Sequence, residues 1–217
     1  MKALALPRSR QPRKPRRQAD RTAETRARIM AAVVECIGDL GFQRTTAVEI
    51  ARRSGVTWGA VQHHFGGKDG ILAAVLEETF GRFAARFDDF PTDRNLEERC
   101  SLFVDRAWEH FSSSHYRTTF EILLHYLPAH TPEEGPTLQA QMLDAWDTLW
   151  KRLFADSKLP AAQRRVLAQY TVGVLSGLAI NLTLQGRRGS VPAGALQILK
   201  DTLVRELGHG EGAERKS

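Results

Sequence analysis

Residues 45–72 read TTAVEIARRSGVTWGAVQHHFGGKDGIL, and this stretch decides the fold. Thr46 and Glu49 have capping-box spacing, with Thr46 as N-cap and Glu49 reaching back to its N–H. The helix they open is short, because Gly55 arrives nine residues after Thr46. Glycine supplies the left-handed conformation that a tight turn needs. Thr57 caps a second short helix, Trp58 to His64, which Phe65 closes and Gly66–Gly67 ends. Two short helices joined through Ser54–Gly55–Val56 form a helix-turn-helix if their crossing packs. Ala51 is small where they cross, and Ile50, Val56 and Val61 supply apolar contacts. Thr57, Trp58, Ala60, Gln62, His63 and His64 are left for the outer face of the second helix. A helix of this size fits the major groove of B-DNA. The bland alternative is a helical hairpin inside a bundle.

Upstream, Ile29, Val33, Ile37 and Leu40 form one apolar helical stripe from about Thr22, and Gly41 ends it. Residues 1–21 read as a flexible basic arm, with Pro7, Pro12 and Pro15 among arginines that include Arg17 and Arg21. The chain carries a net charge of +6, yet residues 1–28 hold ten Lys or Arg against Asp20 and Glu24. The remaining residues carry 21 basic and 23 acidic groups, so the positive charge belongs to one end. A basic arm on a near-neutral body suits a polyanionic partner, double-stranded DNA first, though a solubilising tail has the same composition.

Downstream, Lys68 starts a longer linking helix with Ile71, Leu72, Val75, Leu76, Phe80 and Phe83 available for burial. Asp88–Arg94, with Pro91, looks like a domain junction. Five more helices follow at about 95–113, 116–127, 136–156, 160–185 and 191–207, and the polar residues 208–217 read as a disordered tail. No run of period-two strands appears. The expectation is an all-α chain of about nine helices. Residues 22–87 would form the helix-turn-helix domain, three helices and a linking helix. Residues 95–207 would form a helical ligand-binding and dimerisation bundle.

The 45–72 stretch, within Thr22 to Leu76, resembles the TetR family of tetracycline-repressor-like regulators. The matching elements are Thr46, Ala51, Gly55, Val56, His63, His64, Phe65 and Lys68. The resemblance implies a cytoplasmic homodimer, with a C-terminal pocket for a small-molecule effector whose binding weakens operator binding. It implies a repressor bound to a palindromic operator; a regulator without a small ligand and a nonspecific DNA-binding protein are the alternatives. Gln62 stands where the family commonly has tyrosine, and a glutamine amide can pair with adenine N6 and N7. Gly66–Gly67 replaces a turn that often holds proline. Trp58 reads equally as a DNA contact or as a residue folded back on the domain. Lys68 sits at a helix N-terminus, where its charge opposes the helix dipole unless a phosphate is bound there. The expected DNA-binding set is Arg17, Arg21, Thr46, Thr57, Trp58, Ala60, Gln62, His63, His64 and Lys68.

The C-terminal aromatics are most simply core. If a pocket lies between the helices, its expected lining is Phe103, Trp108, Phe111, Phe120, Trp146 and Trp150, with Arg117 and His125 as polar anchors. An apolar or aromatic effector suits that lining. The stretch 161–185 is apolar all round and carries small residues, so it must be buried on every side. With 191–207 it would form half of a four-helix dimer interface through Gly173, Ser176, Gly177, Ile180, Leu196 and Leu203; a central core helix of one subunit is the alternative. Cys36 and Cys100 lie 64 positions apart and read as core residues. Glu121 and His125 share a helix face, and a surface pair is the simpler reading than a metal site. No cofactor is expected. Nucleophile elbows, phosphate-binding glycine loops and zincin spacings are absent, which argues against an enzyme. The best membrane-like stretch, 170–184, falls short of the ~20 apolar residues a span needs.

Overall fold

Arginine, glutamine and alanine are good helix formers, and Pro15 stands just ahead of the first turn. Helix α1 therefore begins at Arg16 and runs to Leu40. The computed structural model describes residues 16–126, 138–185, 190–192 and 194–208. The basic arm expected over residues 1–21 is thus shorter at its C-terminal end. The Thr22 and Thr25 hydroxyls fold back onto the Gln18 and Arg21 carbonyls at 3.0 and 2.9 Å, as helical threonines do. Arg21 lies exposed on α1, whereas residues 1–15, residues 209–217 and the Arg17 side chain lie outside the described residues. Gly208, assigned to the tail from sequence, closes the last helix.

After α1 comes a 3₁₀ turn, Phe42–Arg44, then α2 (Ala47–Ser54), α3 (Trp58–Phe65) and α4 (Lys68–Ala85). The body holds α5 (Leu96–Phe111), α6 (Ser114–Tyr126), α7 (Leu138–Leu153), α8 (Ala161–Leu184) and α9 (Ala195–Gly208). Among the described residues there are nine α-helices and no strand, so the chain is all-α.

Two buried clusters organise these helices. The N-terminal one joins Ile29, Val33 and Ile37 of α1 to Ile50 of α2, Val61 of α3 and Ile71 to Leu76 of α4. Ile122 of α6, fully buried, belongs to the same cluster. The C-terminal cluster gathers Phe83, Phe87, Phe103, Phe111, Trp150, Phe154 and Leu203. Helix α4 spans both, with Leu72 and Val75 in one and Phe83 in the other. Helices α4 and α6 are therefore the mechanical link between the two halves.

Helix α8 is, among the described residues, the one helix long and apolar enough to cross a membrane. Here it buries Leu167, Thr171, Leu175 and Ala179 and packs against α5, α7 and α9. Arg99 is almost wholly buried under the end of α7, where it donates to the Leu153 carbonyl at 3.2 Å and to Asp156 at 2.8 Å. That pairing satisfies an otherwise costly buried charge.

Candidate nucleic-acid interface and interior cavity

The turn between α2 and α3 is built as the sequence implies. Gly55 caps α2 in the left-handed region, with φ 67°, and its N–H donates to the Ala51 carbonyl. Ile50 and Val61 are fully buried, and Val56 packs against them. The Thr57 hydroxyl accepts from the Ala60 N–H at 3.2 Å, and the Thr46 hydroxyl from the Glu49 N–H at 3.3 Å. Only half of the expected capping box forms. The Glu49 carboxylate turns to Arg52 at 2.6 Å and Arg53 at 2.7 Å, and Arg53 also reaches Asp39 at 2.5 Å. Two charge-assisted partners outcompete a single backbone N–H. They hold the Glu49 carboxyl down at about 2.

On α3 the exposed residues are Thr57, Gly59, Gln62 and His63. Ala60 and His64 are half-buried, and Trp58 packs partly against the N-terminal cluster, which favours its folded-back reading. The His64 carbonyl accepts from the Arg26 guanidinium at 2.5 Å, and the same guanidinium lies 4.2 Å from the Phe65 ring centroid. Helix α3 is thereby clamped to α1. Also exposed in the N-terminal unit, and absent from the sequence-derived set, are Gln43, Arg44, Gly59 and Val48, which is 78% exposed.

Lys68 is engaged rather than free. Its ammonium donates to the Thr45 carbonyl at 3.1 Å and sits 4.6 Å above the Phe42 ring. His125 stacks on the same Phe42 ring, with centroids 4.3 Å apart, and Glu121 accepts from the Phe42 N–H at 3.3 Å. This corrects the placement of His125 in the pocket. It joins α6 to the turn before α2, and its Nδ1 meets the Glu121 carbonyl at 2.8 Å. No group of metal-ligating side chains occurs among the described residues.

Other expected pocket residues separate. Phe103 and Trp150 are fully buried against each other at 5.3 Å, their rings edge-to-face in the core. Trp108 packs on that core from outside. Phe111, Arg117 and Phe120 line an open groove of about 260 Å³ beside the end of α8. Phe111 and Trp146 face a smaller interior chamber of about 80 Å³ between α4, α5, α6, α7 and α8. His110, which the sequence reading passed over, lines this chamber and is only 9% exposed. Burial, with Arg86 and His115 adding repulsion, pushes its imidazole down to about 4.

Since the folded state holds His110 neutral while the unfolded chain protonates near 6.5, its contribution to stability is complete above that pH. It is lost as pH falls towards 4. Chemical denaturation from pH 7 to pH 4 should show an acid loss that His110→Phe reduces by roughly 1–3 kcal/mol. Equal acid sensitivity in both proteins would remove His110 as its source.

The expected dimer residues also divide. Leu203 is fully buried in the C-terminal core, and the Ser176 hydroxyl bonds Tyr116 at 2.8 Å, so neither side chain is free for a partner. Leu196 packs partly against the core, and Ile180 lines the groove beside Phe111. Gly173 and Gly177 remain open, with nothing within 4 Å of an added Cβ. Val166, Tyr170, Leu184 and Ile198 are the large exposed apolar side chains of α8 and α9.

The family profile described as "Bacterial regulatory proteins, tetR family" matches residues 29–75, from within α1 through α2 and α3 into α4. The HTH-type transcriptional regulator SrpR of Pseudomonas putida is 28% identical over 177 residues, 80% of each chain. The regulator BetI of Stenotrophomonas maltophilia is 26% identical over 170 residues, 74% of this chain and 82% of its own. Among solved structures, the fatty acid degradation regulator FadR of Bacillus halodurans superposes with a TM-score of 0.64 at 17% identity. It covers 89% of this chain and 97% of its own. The multidrug binding protein EbrR complexed with ethidium superposes at 0.59 with 18% identity, covering 84% and 98%.

Proposed function

Because the chain is a TetR-family transcriptional regulator, we propose that it binds a palindromic operator as a homodimer, represses transcription and leaves DNA when a small molecule enters the C-terminal body. The observation that carries the reading is the exposed face of α3, Thr57, Gly59, Gln62 and His63, presented on a capped helix clamped to α1. Gln62 reads a base edge, Thr46 and Thr57 lie near the backbone, and Arg21 with the preceding arm adds phosphate contacts. In this reading residues 22–87 act as the DNA-binding unit and residues 95–207 as the ligand and dimer unit. The regulator works in the cytoplasm, where its operator is, and performs no catalysis. The structure of EbrR with ethidium is precedent for a planar aromatic guest in this fold.

Release has a route in the contacts at Phe42. A guest that displaces α6 moves Glu121 and His125, and with them the turn carrying Phe42 and Thr45, to which the Lys68 ammonium is bound. The dimer surface is the open stripe of α8, Val166, Tyr170, Gly173, Gly177 and Leu184, together with Ile198 of α9.

Selection of bound sequences from random DNA tests the reading: it should return an inverted repeat bound far more tightly than bulk DNA. Recovery of no preferred sequence would leave only nonspecific binding. On the selected operator, Gln62→Ala should lose discrimination at one base pair, about 1–3 kcal/mol. Lys68→Ala should weaken all sequences alike. If its ammonium swings from Thr45 to a phosphate, the salt slope falls by about one unit. An unchanged slope would mark Lys68 as a support for the turn alone.

A further inference from the structure

The inner chamber has a polar anchor that the fold leaves unused. His110 is 9% exposed and lies among Phe83, Phe111 and Tyr116, with ring centroids 4.9, 5.5 and 5.4 Å away. Among the described residues no hydrogen bond reaches either of its ring nitrogens. The hydroxyls on the same wall are engaged. Thr79 bonds the Val75 carbonyl at 2.8 Å and His115 at 3.1 Å, Thr119 bonds the His115 carbonyl at 3.0 Å, and Tyr116 bonds Ser176. His110 thus lines the chamber with hydrogen-bonding capacity that no protein group takes.

The rest of the chamber restricts what can enter. Its lining contains no carboxylate, ammonium or guanidinium. A charged head group would lose its water there and find no counter-charge. At about 80 Å³ the chamber is smaller than the ~150 Å³ of a cavity that holds benzene. It does not stand alone. Leu123, Met142, Trp146 and Val172 line both it and an outer chamber of about 200 Å³ whose walls include Leu143 and Ala168. Met142 is an adaptable partition between them. The charged groups on the outer chamber are Asp147 and Arg165, and Asp147 is already held by Lys151 at 2.7 Å.

We propose that the two chambers form one binding site for an uncharged, elongated apolar molecule carrying a terminal hydroxyl, with the hydroxyl on His110 and the apolar body beyond Trp146. A hydroxyl both donates and accepts, so it suits either imidazole tautomer. The site deepens the reading of a ligand-responsive regulator by naming the effector class, and it rests on that reading only for its consequence at the operator.

Calorimetry on the full chain at neutral pH tests the proposal with three probes of one shape: 4-pentylphenol, pentylbenzene and 4-pentylbenzoate. The phenol should bind about tenfold more tightly than the hydrocarbon, the worth of one buried hydrogen bond. The benzoate should bind far more weakly than either. His110→Phe keeps an aromatic ring there while removing both ring nitrogens, and should erase the phenol's advantage over the hydrocarbon. Val172→Phe fills the shared wall and should remove binding of both. Equal affinities for phenol and hydrocarbon in the unaltered chain, tight benzoate binding, or a preference that survives His110→Phe in a folded protein would overturn the proposal. So would phenol binding that survives Val172→Phe, which places it elsewhere. Titration of the phenol into the operator complex separates the two readings. Cavity binding that leaves the complex intact supports the site and counts against ligand release. Release by an unrelated effector, with no probe bound, overturns the site and leaves the regulator reading in place.

Discussion

Gly70→Ala is expected to destabilise the chain by at least about 3 kcal/mol and to lower its melting temperature by roughly 5–10 °C. A Cβ at this position would lie 1.8 Å from the Phe65 carbonyl oxygen and 2.9 Å from the carbonyl carbon. Those are backbone atoms at the end of α3, and they are not free to yield. The Gly66 N–H donates to the Gln62 carbonyl at 2.8 Å, and the Ile71 N–H to the Gly67 carbonyl at 3.3 Å. The alanine must therefore push α4 away from α3, so operator affinity should fall along with stability. Helix propensity acts the other way and favours alanine by only about 1 kcal/mol, so the clash wins. Gly81, exposed on the same helix with nothing within 4 Å, provides the control. Gly81→Ala should be neutral or stabilising by up to about 1 kcal/mol. Thermal melts of both variants decide the matter: a Gly70→Ala protein as stable as the parent would refute the packing argument.

The glycine spacing, the threonine caps and the apolar stripes made the helices readable, because each is a local rule acting over a few residues. The helix-turn-helix at Thr46–Phe65 is local in this sense, and the structure reproduces it. What stayed hidden depends on contacts distant in sequence. Gly70 is ordinary in the sequence until the Phe65 carbonyl is seen beside it. His125 reads as a pocket residue until Phe42 is found stacked on it. His110 gives no signal, since its meaning lies in rings and hydroxyls supplied by several helices. The stripe proposed for the dimer is blurred in the sequence for another reason. Apolar residues surround α8 on all sides, so periodicity alone does not phase it, and only packing shows that Leu203 is buried while Val166 and Tyr170 are exposed.

Gly177→Leu should convert the protein to monomers without unfolding it, and cost orders of magnitude in operator affinity. Within one protomer nothing lies within 4 Å of a Cβ at Gly177, so the first carbon of a larger side chain finds open space inside the fold. The substitution also replaces a helical glycine by a better helix former. The harm is expected from outside the protomer. Val166, Tyr170, Gly173, Gly177 and Leu184 recur at helical spacing along one side of α8, and Val166, Tyr170 and Leu184 are 65%, 47% and 79% exposed. Ile198 on α9 is 66% exposed. Apolar area left that open is characteristic of an association surface. Glycines along it let a second copy's helix approach closely, and a leucine at Gly177 would hold the two backbones apart. A monomer keeps α3 intact but loses the linked second half-site, which acts as a high effective concentration. Binding to an isolated half-site should accordingly stay near that of the parent protomer while full-operator affinity collapses. Sedimentation and DNA titration on one sample would register both effects. A folded Gly177→Leu protein that sediments as a dimer moves the interface off this stripe. A parent chain that stays monomeric both free and on its operator would end the dimer reading.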